Sequence, residues 1–307
     1  MALTVKDTLD NLSRLDLSTY PITAIKDQLL KLGTGAILVK TFHKGEEVLR
    51  ARVNYNSEEF GKTSDLSYLP SHLNKKFQRA STPNLNMFYG AINSDKFHPY
   101  EFKNVIGLME VCRLMRDKTI TEGEQKITFG TWTVTQDFDL VSIFSQQDDL
   151  KQNSRLKEMR NEYLRFCQTM PPDIVYNSLL ISNYFADQFA KSETPNDYDY
   201  LISALFTEHV TLRRVEDKLL SGVLYPSVRT EGTGFNVAFT PWCADNCLQL
   251  EAVTECTIYK KNHKTMVDND KQAVLRLGQT NFVLKPIIDP KYHAGREAAY
   301  KKLNSND

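Results

Sequence analysis

Apolar residues recur along this chain with two periods, and the switches between them outline the fold. Leu9, Leu12 and Leu15, then Ile25, Leu29 and Leu30, follow helical spacing over 5–31, with a break at Tyr20-Pro21. Residues 36–42 and 47–54 read as strands around a turn at His43-Lys44-Gly45. Residues 55–86 are rich in Ser, Asn, Asp and Pro and predict a long loop, a length usually tied to function or disorder. A short apolar strand follows at 87–92 and a helix at 105–115. Residues 127–134 and 140–144 predict a pair of strands joined through Asp137-Phe138-Asp139.

The middle of the chain is charged and amphipathic. It predicts helices over 150–168, 177–191 and 198–214, punctuated by Pro171-Pro172 and Pro195-Asn196. Strand patterns return at 223–225, 235–240, 247–259 and 281–285, before a polar, helical or frayed tail after Pro290. The order of helix, strands, helices and strands predicts an α+β fold. No stretch is rich enough in Gly, Ser or Pro to force a boundary. One domain is therefore expected over 1–307, with an N-terminal helical extension (about 1–32) and a helical insert (about 150–214).

Composition narrows the function classes. Hydrophobic residues are 41% and charged residues 25% of a 307-residue chain, ordinary for a folded protein with a sizeable core. Zero formal net charge argues against nucleic acid or an anionic membrane as partner. No apolar run approaches the roughly 20 residues that span a bilayer, and the first ten residues carry no apolar leader core. Five scattered cysteines, an odd number, do not form a disulfide framework, so the expectation is a cytoplasmic protein with reduced thiols. Cys243, Cys247 and Cys256 have a spacing compatible with zinc but lack a second pair or a histidine partner, and no metal site is expected.

Four islands pair an apolar run with a polar group. They are Val48-Leu49-Arg50-Ala51-Arg52; Phe77-Gln78-Arg79-Ala80-Ser81-Thr82-Pro83 running on to Met87-Phe88-Tyr89-Gly90-Ala91; Leu108-Met109-Glu110-Val111-Cys112; and Gly222-Val223-Leu224-Tyr225-Pro226-Ser227. A carboxylate within an apolar stretch is costly to bury without a partner or a purpose. Side chains two apart on a strand share a face, so Arg50 and Arg52 present two cations to one side. Each guanidinium offers a planar fork suited to phosphate oxygens. Pro226 ends its strand, so Ser227 is expected to turn its hydroxyl to a cleft. The bland alternatives are a solvated strand arginine, a loop arginine, a half-buried core tyrosine, a polar helix face and a turn serine.

Arginine, glutamate and serine in this order make the chain resemble the RES-domain family, in islands over about 45–260. The resemblance implies a fold related to the ADP-ribosyltransferases, and an activity that consumes NAD by cleaving its nicotinamide–ribose bond. It names Arg50, Glu110 and Ser227 as the catalytic set, with Arg52, Arg79, Tyr89 and Tyr225 binding the dinucleotide. Arg50 or Arg52 takes the first arginine position, and Gln78 stands where the family often has glycine before Arg79. Glu110 would stabilise the positive charge that builds on the ribose, as in glycoside hydrolysis. The segment 93–104 reads as an insertion, with Glu101 as the fallback carboxylate. The acceptor is left open between water, inorganic phosphate and a protein side chain, giving a glycohydrolase, a phosphorylase or an ADP-ribosyltransferase. Family members are often bacterial toxins, so the resemblance also implies an antitoxin or a target protein as partner. The alternative is a non-catalytic nucleotide-binding or protein–protein adaptor module, with the 150–214 helices as its partner surface.

Overall fold

The structure is a computed structural model describing residues 4–32, 37–92, 102–145, 154–192, 194–212, 214–215, 218–228, 234–262 and 264–305. The chain opens with α1 (Val5–Ser13) and α2 (Ile22–Lys31), followed by β1 (Leu38–Phe42), β2 (Glu47–Val53) and β3 (Phe88–Ile92). Next come α3 (Phe102–Val111), α4 (Arg113–Arg116), β4 (Glu122–Val134) and β5 (Phe138–Ser142). The helices α5 (Ser154–Cys167), α6 (Pro172–Ala190) and α7 (Leu201–Thr211) precede a small hairpin of β6 (Arg214–Val215) and β7 (Lys218–Leu219). The chain finishes with β8 (Gly222–Pro226), β9 (Phe235–Phe239), α8 (Pro241–Cys247), β10 (Leu248–Lys261), β11 (Lys264–Val274), β12 (Lys285–Pro286) and α9 (Pro290–Asn304).

Among the described residues, ten strands form one mixed sheet in the order β1-β5-β8-β9-β3-β2-β4-β10-β11-β12, and only the β5–β8 pairing is parallel. The α+β class therefore holds. The expected pairing of β4 with β5 does not. Both edges of β4 are taken by β2 and β10, so β5 crosses over to join β1 and β8. Residues 281–285 contribute only the start of β12, and the predicted 105–115 helix breaks at Cys112, whose backbone is extended. The 55–86 segment is a long connection with three short 3-10 turns, as its composition predicts.

Alternation along the central strands separates two apolar layers. Leu224, Phe235, Val237 and Phe239 face one cluster with Phe42, Phe88 and Trp132. Val223, Tyr225 and Ala238 face the other, which they share with Leu9, Leu12, Ile25 and Leu29 of the first two helices and with α6 and α7. Both helical segments thus pack against the sheet. Buried on nearly every side, α7 uses Thr207 and Thr211 hydroxyls to donate to carbonyls one turn back, which removes the cost of burying them. Thr4 and Asp7 close a capping box at the start of α1. No helix among the described residues is long and apolar enough to cross a membrane.

Candidate active site

A cavity of about 390 Å³ opens where β2, β3, β8 and β9 meet α3. Its lining includes Arg50, Arg79, Tyr89, Glu110, Arg116, Tyr200, Tyr225 and Asn236. The volume is in the usual range of ligand pockets. A larger cavity of about 890 Å³ lies elsewhere and contains none of these residues. Convergent charge, not size, marks the smaller one as the candidate site.

The sheet is incomplete at this place. β2 and β3 share a single register pair, Leu49 with Ala91. Beside it, the Arg50 guanidinium donates through Nη1 to the Tyr89 carbonyl at 2.8 Å. The guanidinium lies 5.1 Å from the centroid of the Phe88 ring, and its Nε is buried with no hydrogen-bond partner among the described residues. Burial, with the nearby Arg52 charge, pushes Arg50 down to about 10. No carboxylate pairs with it among the described residues.

Glu110 sits in the last turn of α3, which packs on β2 and β3. Its Oε1 accepts hydrogen bonds from Ser227 Oγ at 2.8 Å and from Asn236 Nδ2 at 2.7 Å. Oε2 makes no hydrogen bond among the described residues, so one oxygen is anchored and the other is available. Asn236 faces Tyr225 in the β8–β9 register, and both face the cavity. The helix break at Cys112 turns the chain back, so that Arg116 Nη1 donates to the Glu110 carbonyl at 3.0 Å.

Arg79 donates to the carbonyls of Phe189 and Lys191 at the end of α6, where helix carbonyls lack partners. Its guanidinium lies 5.4 Å from the Tyr200 ring centroid. The Tyr89 hydroxyl is engaged with the Ala80 amide at 3.0 Å and the Ser81 hydroxyl at 2.9 Å. Burial pushes the phenol of Tyr89 up to about 12 and that of Tyr225 well above its ordinary value. Both remain neutral donors or acceptors at physiological pH.

The structure therefore brings together Arg50, Arg79, Tyr89, Glu110 and Tyr225 at one cavity. It does not bring Arg52 there. Arg52 shares the strand face of Arg50, but its fork is spent on the Asp65 carbonyl at 2.6 Å and on Glu58 at 3.0 Å, with Phe60 beneath it. Ser227 also differs from expectation. It is fully buried and does not line the cavity; its hydroxyl meets the site through Glu110. Tyr89 lines the cavity, with its hydroxyl taken up by the Ala80 amide and the Ser81 hydroxyl. Glu101, the fallback carboxylate, lies outside the described residues.

Two contributors were missed. Asn236 interrupts the otherwise apolar Phe235-Asn236-Val237-Ala238-Phe239, the same signal that singled out Glu110. Arg116 carries no such signal, because its place depends on the break after α3. With it, among the described residues, three guanidinium groups line the cavity against a single carboxylate, and none of the three has a carboxylate partner. Such a cavity attracts an anion, above all one whose oxygens can match guanidinium forks. Cys243 and Cys247, considered above for zinc, are buried on α8, and burial pushes the Cys243 thiol upward.

No family model, curated protein or solved structure matches this chain.

Proposed function

We propose that the protein is an NAD-consuming enzyme that cleaves the nicotinamide–ribose bond, as its resemblance to RES-domain proteins and their ADP-ribosyltransferase-like fold implies. One observation carries the reading: a carboxylate anchored by Ser227 and Asn236 stands in the same cavity as three arginines with no acidic partner among the described residues. A dinucleotide supplies both complements, a diphosphate for the guanidinium groups and a glycosidic carbon for the carboxylate. Arg50, Arg79 and Arg116 hold the diphosphate, and Tyr225 packs against the bound ligand.

Bond cleavage follows from this placement. The electron pair of the C–N bond leaves with the nicotinamide nitrogen and neutralises its positive charge. Positive charge builds on the ribose, where the Glu110 carboxylate opposes it in a partly dehydrated site. Oε2 is available for a ribose hydroxyl, while Ser227 and Asn236 keep Oε1 from rotating away. A lone pair of the acceptor closes on the ribose carbon, and a water acceptor releases its proton as it adds. Ser227 is a positioning residue in this scheme and not a nucleophile. A toxin held by an antitoxin is the biological setting the resemblance implies.

The test is direct. Purified protein is incubated with NAD, with and without inorganic phosphate, and free nicotinamide is followed. Release is expected in the wild type and lost in Arg50→Ala and Glu110→Ala. Absence of release under all conditions, together with absence of NAD binding by calorimetry, would defeat the reading.

A further inference from the structure

The cavity of about 890 Å³ shares no residue with the candidate active site. It runs between the 62–72 segment, α8 and the 278–281 loop. Trp132, Leu248, Leu250, Ala244 and Pro241 supply its apolar lining. Around them stand neutral hydrogen-bonding groups: the hydroxyls of Thr63, Ser64, Ser67 and Thr280, and the amides of Asn84 and Gln249. Hydroxyl and amide groups both donate and accept, so the rim suits a ligand that does the same.

Two features show capacity not spent within the protein. Trp132 is only 3% exposed, yet its indole Nε1 is buried without a hydrogen-bond partner among the described residues. An indole N–H is an obligate donor and usually finds an acceptor when buried. The side chains of Ser64, Ser67 and Asn84 likewise make no hydrogen bond to the described residues. Tyr68, by contrast, donates to Asp245 at 2.7 Å and fixes that carboxylate at the rim.

Charge and backbone pairing narrow the ligand class. Among the described residues, Lys62 and His72 are the only basic side chains of the lining and Asp245 the only acidic one, so a phosphorylated or polyanionic ligand finds little here. A peptide adding as a strand is disfavoured, because the nearby backbone edges already pair with each other. Thr63 N donates to Thr280 O, and Phe282 N donates to Gly61 O, each at 2.8 Å. What fits is a neutral molecule with an apolar face and a ring of hydroxyls.

We propose that this cavity is a second binding site, independent of the NAD reading, and that it takes a neutral saccharide. The sugar's C–H face lies on the apolar lining, and its hydroxyls meet Asp245, Asn84 and the serines.

The chain has two tryptophans, and Trp242 is 62% exposed, so Trp242→Phe leaves Trp132 as the sole indole reporter. This protein is titrated with maltotriose, cellotriose and chitotriose, reading fluorescence and, in parallel, saturation-transfer NMR. A saturable signal is expected with at least one of the three. It should weaken by about tenfold or more in Tyr68→Phe/Asp245→Ala, the loss of roughly 1.4 kcal/mol of polar contacts, and stay unchanged in Arg50→Ala. Circular dichroism confirms that the variants fold. Three outcomes overturn the proposal: no saturable signal by either readout, binding indifferent to the double variant, or displacement of the sugar by inorganic pyrophosphate.

Discussion

Ser227 Oγ donates to Glu110 Oε1 at 2.8 Å, although 117 residues separate them. Asn236, one strand away, holds the same oxygen at 2.7 Å. The pair of donors fixes the carboxylate's orientation, Ser227 from a fully buried position and Asn236 from the cavity wall. Glu110→Gln keeps the shape and leaves an amide oxygen to accept both bonds, so it should fold normally. It removes the negative charge, and nicotinamide release should fall by about 100-fold or more, the scale of losing one preorganised electrostatic group. Ser227→Ala should act differently. It leaves the charge but frees its direction, lowering kcat with little change in KM, while Ser227→Thr, which keeps a hydroxyl, should recover part of the loss. A Ser227→Ala enzyme with normal kcat and raised KM would instead place the hydroxyl on the ligand.

Arg50 sets a pH dependence. Its folded-state value is depressed to about 10, well below the ordinary guanidinium range, chiefly by burial. The sign is that of a base that dislikes its charge when folded. Below about 10, burying the cation costs stability, and the cost fades as pH rises toward the unfolded value. A bound anion reverses this by repaying the desolvation. Pyrophosphate should therefore raise the melting temperature of the wild type at pH 8, with a ceiling of about 2.7 kcal/mol at 100 times Kd. The gain should be absent in Arg50→Met. It should also fade in the wild type as pH passes about 10, and kcat/KM for NAD should fall over the same range. A pyrophosphate shift equal in both proteins would remove Arg50 from the anion site.

What could be read from the sequence follows from how local each signal is. Period-two alternation and single polar residues in apolar runs identified β2, β3, β8, β9, Arg50 and Glu110, because those patterns are written within five or six residues. The partner of β5 was not legible, since it depends on β4 having both edges occupied. β11 was missed because it presents Met266 and Asp268 inward and little other apolar surface, so its alternation is weak. α8 was overlooked despite a local signal, Thr240 capping a helix with Pro241 at its first position. Arg52 shows the limit of parity. Sharing a strand face with Arg50 did not bring it to the cavity, because Glu58 and the Asp65 carbonyl compete for its fork.

That competition yields a discriminating prediction for Arg52. It lines no part of the cavity, and its ion pair with Glu58 is more than a third exposed on both sides, so the pair contributes at most about 1 kcal/mol. Arg52→Ala should lower thermal stability slightly, through the lost carbonyl contact and the lost packing on Phe60. KM and kcat for NAD should move by less than about threefold, under 0.7 kcal/mol. Arg52 would take the leading role instead if its variant lost as much activity as Arg50→Ala.

Gly222 holds the other side of the site together. Its φ is +155, and a Cβ built there would stand 2.0 Å from the Ala238 carbonyl oxygen, well inside contact distance. The clash is with the backbone of the paired strand, so no side chain can swing away to relieve it. Gly222→Ala must push β8 from β9, at a cost of about 2 kcal/mol or more. The same two strands carry Tyr225 and Asn236, and Ser227 follows directly, so the displacement reaches the donors that hold Glu110. The variant should therefore lose stability and turnover together, unlike Glu110→Gln, which loses turnover alone. Thermal unfolding and nicotinamide release measured on the same preparations separate the two, and a Gly222→Ala protein with wild-type values for both would show that the strands tolerate the shift.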